Sequence, residues 1–348
     1  MAQVLNASNT SGVYIKLESV AGTYVAPAGS DFVPVVGTPK FTPRGPGIIR
    51  RADVYTPYGG EIEAKTGGIG WDISITTELY WNFAGGAFFV DPSIANTTLY
   101  ALFRSCPFNI ASGGTNDFKF ISQAIYDLAA TRSGGNAYSC ATFSIAYEET
   151  GGKRYESCGC VCIPKFSFES GGKIMVEWSI KGLWRPVTST GAGLTPTLGS
   201  PSPLIGINAT LSTTGPLSSA TSALAKVTYD PGFALSDVLD AQQTYGMGIA
   251  MISLTSSPSI ELEVADLSEV AQPDWTQAQG NTVSAASLLV TLTIAANTSV
   301  QFALNEPQLI QWPTPGESNG YRNIGLKFAG IVNANSVSEI GSIGFYAP

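Results

Sequence analysis

Histidine is absent from all 348 residues, and that single gap removes the commonest general base, the triads built on it and the commonest metal ligand. Ordinary serine and cysteine hydrolases are thereby excluded. Charge is scarce as well, at 13% of residues against roughly 25% in an average globular protein. No apolar run approaches the roughly 18 residues that a membrane helix needs; the best, Ala285 to Ala296, is broken by Thr291 and Thr293. The opening Met1-Ala2-Gln3-Val4-Leu5-Asn6 lacks the basic region and apolar core of a secretory signal, so nothing in it points to export. No glycine-rich segment stands between a strand and a helix as a nucleotide site requires, and Gly67-Gly68-Ile69-Gly70, which precedes a strand, reads as a turn.

The carboxylates that are present do not add up to a catalytic pair. Glu61/Glu63, Glu148/Glu149 and Glu261/Glu263 would serve a glycosidase only if they faced each other across a cleft. Glu61/Glu63 and Glu261/Glu263, two apart on a strand, point the same way, and all three pairs read as solvated faces. The net charge of -8 is unevenly placed: residues 1–190 carry 15 Lys+Arg and 15 Asp+Glu, whereas 191–348 carry 3 and 11. Such a second half repels phosphates and argues against an ordinary DNA-binding module.

Hydrophobic residues make up 44% of the chain, alongside 38 Gly and 21 Pro, the profile of many short strands joined by punctuated turns. Trp71, Ile73 and Ile75 alternate with Asp72, Ser74 and Thr76. Phe166 and Phe168 alternate with Lys165, Ser167 and Glu169, and Ile174, Val176, Trp178 and Ile180 with Met175, Glu177, Ser179 and Lys181. One wet and one dry face per strand is the antiparallel pattern, and Gly151-Gly152 and Gly171-Gly172 mark hairpins of a sandwich or barrel. One segment changes period: after a capping residue, Leu99, Leu102 and Phe103 fall at helical spacing and predict a short helix over Asn96 to Arg104.

The chain also repeats itself. Residues 38–80 align without a gap on 225–267, matching Asp53 with Asp240, Tyr58 with Tyr245, Gly59 with Gly246, Ile62 with Ile249, Ile73 with Ile260 and Ile75 with Leu262. Farther on, Pro164, Phe166, Trp178, Ile180 and Gly182 answer Pro307, Leu309, Leu326, Phe328 and Gly330. A long unit found twice predicts two copies of one domain, since solenoids need three or more short units. The segment Pro186 to Ser222, rich in Ser, Thr, Gly and Pro, reads as the connection. The expected division is therefore 1–190, a linker over 191–222, and 223–348, with room for the helix only in the first domain; its counterpart near Asp274 to Gln279 is much shorter.

Cys158-Gly159-Cys160-Val161-Cys162 places three thiols on one face of a strand, with Cys106 and Cys140 elsewhere. Zinc prefers two-residue spacing at tight turns, so these read first as reduced thiols packed like small hydrophobes, with a disulfide or metal as the alternative.

The order of an early strand, an arginine-bearing loop from Arg44 to Arg51, Tyr58-Gly59-Gly60, the alternating run Gly70 to Leu79, the helix at Thr97 to Ser105 and the Phe166/Phe168 and Trp178/Ile180 hairpin resembles the major tail tube proteins of long-tailed bacteriophages. Tyr14-Ile15-Lys16-Leu17-Glu18-Ser19 followed by Gly22-Thr23-Tyr24 is similar to the start of such proteins. The duplicated form is similar to tube proteins that carry two tube domains per subunit. The resemblance implies a mainly β protein of two tandem antiparallel sandwich or barrel domains, polymerised into the stacked rings of a virion tail. Three copies would close each ring with pseudo-sixfold symmetry. It further implies that the loops Phe41 to Pro57 and Tyr229 to Thr244 reach the next ring, making Arg44, Arg50, Arg51, Asp237 and Asp240 the contact candidates. The barrel strands would line a channel through which DNA passes without being held, with Glu61, Glu63, Asp72, Ser74, Thr76, Glu261 and Glu263 as lumen candidates. Implied partners are further copies of the chain and the tape measure, tail terminator and baseplate proteins, assembled in the host cytoplasm; no cofactor, no membrane and no enzymatic activity are expected. A capsid decoration protein or surface adhesin shares the catalytically silent β-rich composition and is the alternative, with a carbohydrate-active enzyme third.

Overall fold

Alternating apolar and polar residues become strand after strand. A computed structural model describes residues 12–45, 48–50, 64–66, 68–82, 87–88, 98–106, 109–112, 118–122, 141–149, 152–169, 171–189, 193–196, 202–203, 208–211, 224–240, 242–243, 245–254, 256–265, 287–295, 298–318, 321–331 and 340–346. The first half contributes β1 (Gly12–Leu17), β2 (Phe32–Val33), β3 (Lys40–Arg44), β4 (Ile48–Arg50), β5 (Ala64–Thr66), β6 (Gly70–Glu78), β7 (Tyr80–Asn82), β8 (Ala87–Phe88), helix α1 (Thr98–Arg104), β9 (Asn109–Ser112), β10 (Phe118–Ser122), β11 (Phe143–Glu149), β12 (Lys153–Glu169), β13 (Met175–Trp184) and β14 (Thr188–Ser189). The second half adds β15 (Ser202–Pro203), β16 (Asn208–Leu211), β17 (Leu224–Asp230), β18 (Phe233–Ser236), β19 (Met251–Leu254), β20 (Ser259–Ala265), β21 (Leu288–Ala295), β22 (Thr298–Leu304), β23 (Pro307–Ser318), β24 (Tyr321–Gly330) and β25 (Gly341–Tyr346).

A twelve-stranded sheet dominates. Through it run two groups in the same order, β3-β6-β13-β12 from the first half and β17-β20-β24-β23 from the second. Between the first two strands of each group the chain makes a further hairpin ladder, β4 with β5 in one case and β18 with β19 in the other. The self-comparison of the sequence is reproduced in the ladders. Ile180 lies opposite Ile73 and Trp178 opposite Ile75, while Phe328 lies opposite Ile260 and Leu326 opposite Leu262. Two parts of that comparison slip. Lys40 faces Ser74 and Thr228 faces Glu261, so Lys40 corresponds to Thr228, one residue from the Val227 that the ungapped alignment gives. Leu309 faces Phe328, and the residue facing Ile180 is Cys162, so Leu309 corresponds to Cys162 and not to Phe166. A displacement of four residues keeps every side chain on its face, which is why alternation alone did not detect it.

The two halves share their sheets. β12 pairs with β17 in the main sheet, and a second, six-stranded sheet runs β16-β21-β22-β25-β10-β9, placing first-half strands beside the C-terminal one. Strand β16 falls within 191–222, so a segment read as linker forms part of a sheet; its short alternation, Ala209 and Leu211 between polar residues, is lost among Ser and Thr. The buried apolar side chains of both halves form one cluster. Ring contacts tie the sheets together: Phe302 packs on Phe166 at 5.8 Å and on Tyr229 at 5.6 Å. Helix α1 supplies the plug. Leu99, Leu102 and Phe103, at the predicted helical spacing, are all buried, and Phe103 meets Trp178 edge-on at 5.1 Å and Phe345 at 5.8 Å.

Strand β12 is long enough to serve both directions of the sheet because it bends. Its registers with β11 and β13 shift near Phe143/Ile145 and Cys158/Val161, and Gly159 has φ +58. A Cβ there would lie 3.0 Å from Leu183 and 3.1 Å from Ile249, so the bulge needs glycine for both conformation and space. Glu18 anchors the bend. Its carboxylate accepts hydrogen bonds from the Gly22 and Gly159 amides at 2.8 Å, from Ser144 Oγ at 2.8 Å and from Thr142 Oγ1 at 2.6 Å.

Candidate functional site

The pleat of the main sheet separates a core face from a polar face, and the candidate site is the polar one. Trp71, Ile73 and Ile75 point into the core, which turns Asp72, Ser74 and Thr76 to the other side; Ile260 and Leu262 do the same for Glu261 and Glu263. All five of these lumen candidates therefore occupy one face of one sheet. Glu61 and Glu63 lie outside the described residues.

Two shallow grooves mark this face. The larger crosses the boundary between the halves and is lined by Lys165, Ser167, Glu177, Lys226, Glu261 and Glu263, among others. The second lies over β3, β6 and β13, where Lys40, Asp72, Ser74 and Lys181 come together with Phe233 and Leu235 of β18. The strand registers pair opposite charges across the face. Asp72 stands opposite Lys181, Glu177 opposite Lys165, Glu263 opposite Lys226 and Glu261 opposite Lys327. Lys226 Nζ also lies 3.5 Å from Glu169, and Asn323 Nδ2 donates to Glu263. The second half is acidic as a whole, but on this face Glu261 and Glu263 each stand opposite a lysine in the strand register, so the surface is polar and of mixed sign. Among the described residues it offers no uninterrupted row of cations that would grip a phosphate backbone.

The loop candidates divide. Arg44 ends β3 and is only 8% exposed. Its Nε donates to the Trp71 carbonyl at 3.2 Å and its Nη2 to the Gly182 carbonyl at 3.4 Å, and its guanidinium is paired with Asp237 and, at 3.3 Å, with Asp72. Asp237 also accepts from Lys181 Nζ at 2.7 Å. Arg44 is thus enclosed by partners in its own chain, away from the exposed excursion in which the sequence placed it; the responsible carboxylate lies 193 residues away in sequence. Arg50 lies on β4 opposite Ala64, and Arg51 is outside the described residues. Asp240 holds a turn by accepting the Gln242 amide at 2.9 Å, and that turn touches the first half, where the Ile69 amide donates to the Tyr245 carbonyl at 2.9 Å. Leu239, Tyr245 and Met251 leave an exposed apolar surface along this arm.

Among the described residues, no three His, Cys, Asp or Glu side chains are grouped to hold a metal ion. The bulge removes Cys158 from the face that Cys160 and Cys162 share: those two join the core, whereas Cys158 neighbours Arg185. Burial, reinforced by the nearby Glu18 charge, pushes the Cys158 thiol up to about 11, and burial also holds the Cys160 thiol well above its ordinary value. Protonated thiols are poor ligands and poor nucleophiles. Cys106 Sγ and Cys162 Sγ lie 3.5 Å apart as free thiols, and each donates to the Leu102 carbonyl. No described helix is long and apolar enough to cross a membrane. The chain matches no protein-family model, and no curated protein matches it in sequence.

Proposed function

We propose that this chain is a structural subunit that polymerises with copies of itself into stacked rings, forming a tube of the kind built by the major tail tube proteins of long-tailed bacteriophages. Its place is the virion tail, assembled in the host cytoplasm between tape measure, terminator and baseplate proteins, and it has no catalytic task. The observation that carries this reading is the main sheet: two groups of four strands in the same order, each with a hairpin arm after its first strand, joined into one surface with a single polar face. The two groups are tandem tube domains in this reading, and three copies supply the six that close a ring.

The chemistry of the face suits passage of DNA. Lysines and carboxylates opposite each other leave little net potential, so a phosphate backbone finds neither a strong trap nor a strong barrier. The arms, with Leu239, Tyr245 and Met251 exposed, supply the contact between rings. Negative-stain electron microscopy of the concentrated protein tests this reading: hollow tubes with a regular ring repeat are expected, and separate globular particles at every concentration would overturn it.

A further inference from the structure

The two groups of strands meet along one seam, where β12, the last strand of the first group, lies antiparallel to β17, the first strand of the second. Phe166 is opposite Tyr229, Ser167 opposite Thr228, Phe168 opposite Val227 and Glu169 opposite Lys226. Because the order repeats, the strand equivalent to β17 stands at one open edge of this branched sheet and the strand equivalent to β12 at another. These are β3 and β23; among the described strands β3 pairs only with β6, and β23 only with β24.

We propose that β23 of one copy pairs with β3 of a second copy of this chain and repeats the internal seam. The proposal rests on the ring-forming reading and names the edges and register by which copies join. The registers carry the seam across residue by residue. Ser167 faces Met175, whose counterpart in the second group is Asn323, and Asn323 faces Gly316. Thr228 faces Glu261, whose counterpart in the first group is Ser74, and Ser74 faces Lys40. The internal pair Ser167–Thr228 thus becomes Gly316–Lys40 between copies. By the same steps Phe166–Tyr229 becomes Pro315–Phe41, and extending the ladder one residue past that pair, where Lys165 and Asp230 are the internal counterparts, sets Thr314 opposite Thr42.

Both faces of the sheet continue through such a seam. Gly316 and Thr314 line the larger polar groove, and Lys40 and Thr42 the smaller, so the polar face runs on from one copy to the next. On the other side, exposed Pro315 meets the half-buried Phe41 ring, which already stacks on Tyr147 at 5.5 Å and meets Trp71 edge-on at 6.0 Å. A second copy fits these edges better than an arbitrary strand. β23 is 12 residues long and carries Ile310 at 51% exposure, a length and character that monomeric proteins avoid at an open edge. Joining two different edges head to tail makes a heterologous contact, which closes into a ring where the rotation permits.

The test uses the full chain with Thr42→Cys and Thr314→Cys made as separate variants, mixed under assembling conditions and treated with a thiol oxidant such as diamide. A disulfide-linked dimer is expected from the mixture and from neither variant alone, in several-fold excess over the out-of-register mixture of Lys40→Cys with Thr314→Cys. The wild-type chain controls for its native thiols, and microscopy of the same samples reports assembly. Assembled material without the in-register crosslink would overturn the seam and leave the ring reading standing. Preference for the Lys40→Cys mixture would overturn the register, and a chain that never assembles would overturn both.

Discussion

A few side chains hold positions on which whole elements depend. Glu18 is one, because its carboxylate satisfies two amides and two hydroxyls from three separate segments. Glu18→Ala strands those donors, and stability is expected to fall by about 2 kcal/mol or more, given a cost of about 1–3 kcal/mol for each buried group left unpaired. Urea unfolding would show the loss as a lower midpoint with an unchanged slope. Cys158 makes a second, pH-dependent contribution. Its folded thiol is raised from 9.0 to about 11 by burial, so the folded state holds the proton more tightly than the unfolded chain. Stability from this group is complete below about pH 9 and is lost as pH climbs toward 11. The urea midpoint is therefore expected to drop between pH 8 and pH 10, and to drop less in Cys158→Ala; equal slopes in both proteins would remove the thiol from that role.

At the scale of elements, much was legible where alternation is strict and partners are near in sequence. The strands around Trp71 to Ile75 and Met175 to Ile180, the helix on Leu99, Leu102 and Phe103, and the correspondence of β6 with β20 all follow from period and spacing. What escaped has physical reasons. The slip of four residues in β12 preserves its faces, the weak alternation of β16 is hidden by Ser and Thr, and the Arg44–Asp237 pair links residues that only the folded arms bring together. The bulge in β12 was also hidden, because Cys158-Gly159-Cys160 alternates perfectly until Gly159 adopts a positive φ. Gly159→Ala tests that bulge. The strained conformation and the approach to Leu183 and Ile249 should cost on the order of 1–3 kcal/mol, measured as a lower thermal midpoint, whereas Gly171→Ala, at a positive-φ turn with open space around its Cβ position, should cost less.

For the whole molecule, the proposed channel depends on balance across the polar face and not on acidity alone. Glu261→Lys with Glu263→Lys would set like charges opposite Lys327 and Lys226 and turn a mixed surface into a cationic one. Particles carrying both substitutions and intact tails should release DNA more slowly, and added salt should restore the rate because exposed charges are screened within about 8 Å at physiological ionic strength. An unchanged rate at low salt would place both glutamates away from the DNA path. The most direct measurement is a helical reconstruction of assembled tubes by electron cryomicroscopy. The polar face bearing Asp72, Lys165, Glu177 and Glu261 is expected to line the bore, with three chains in each ring; a tube whose bore is lined by any other surface, with this face turned outward or buried between chains, would contradict the central claim.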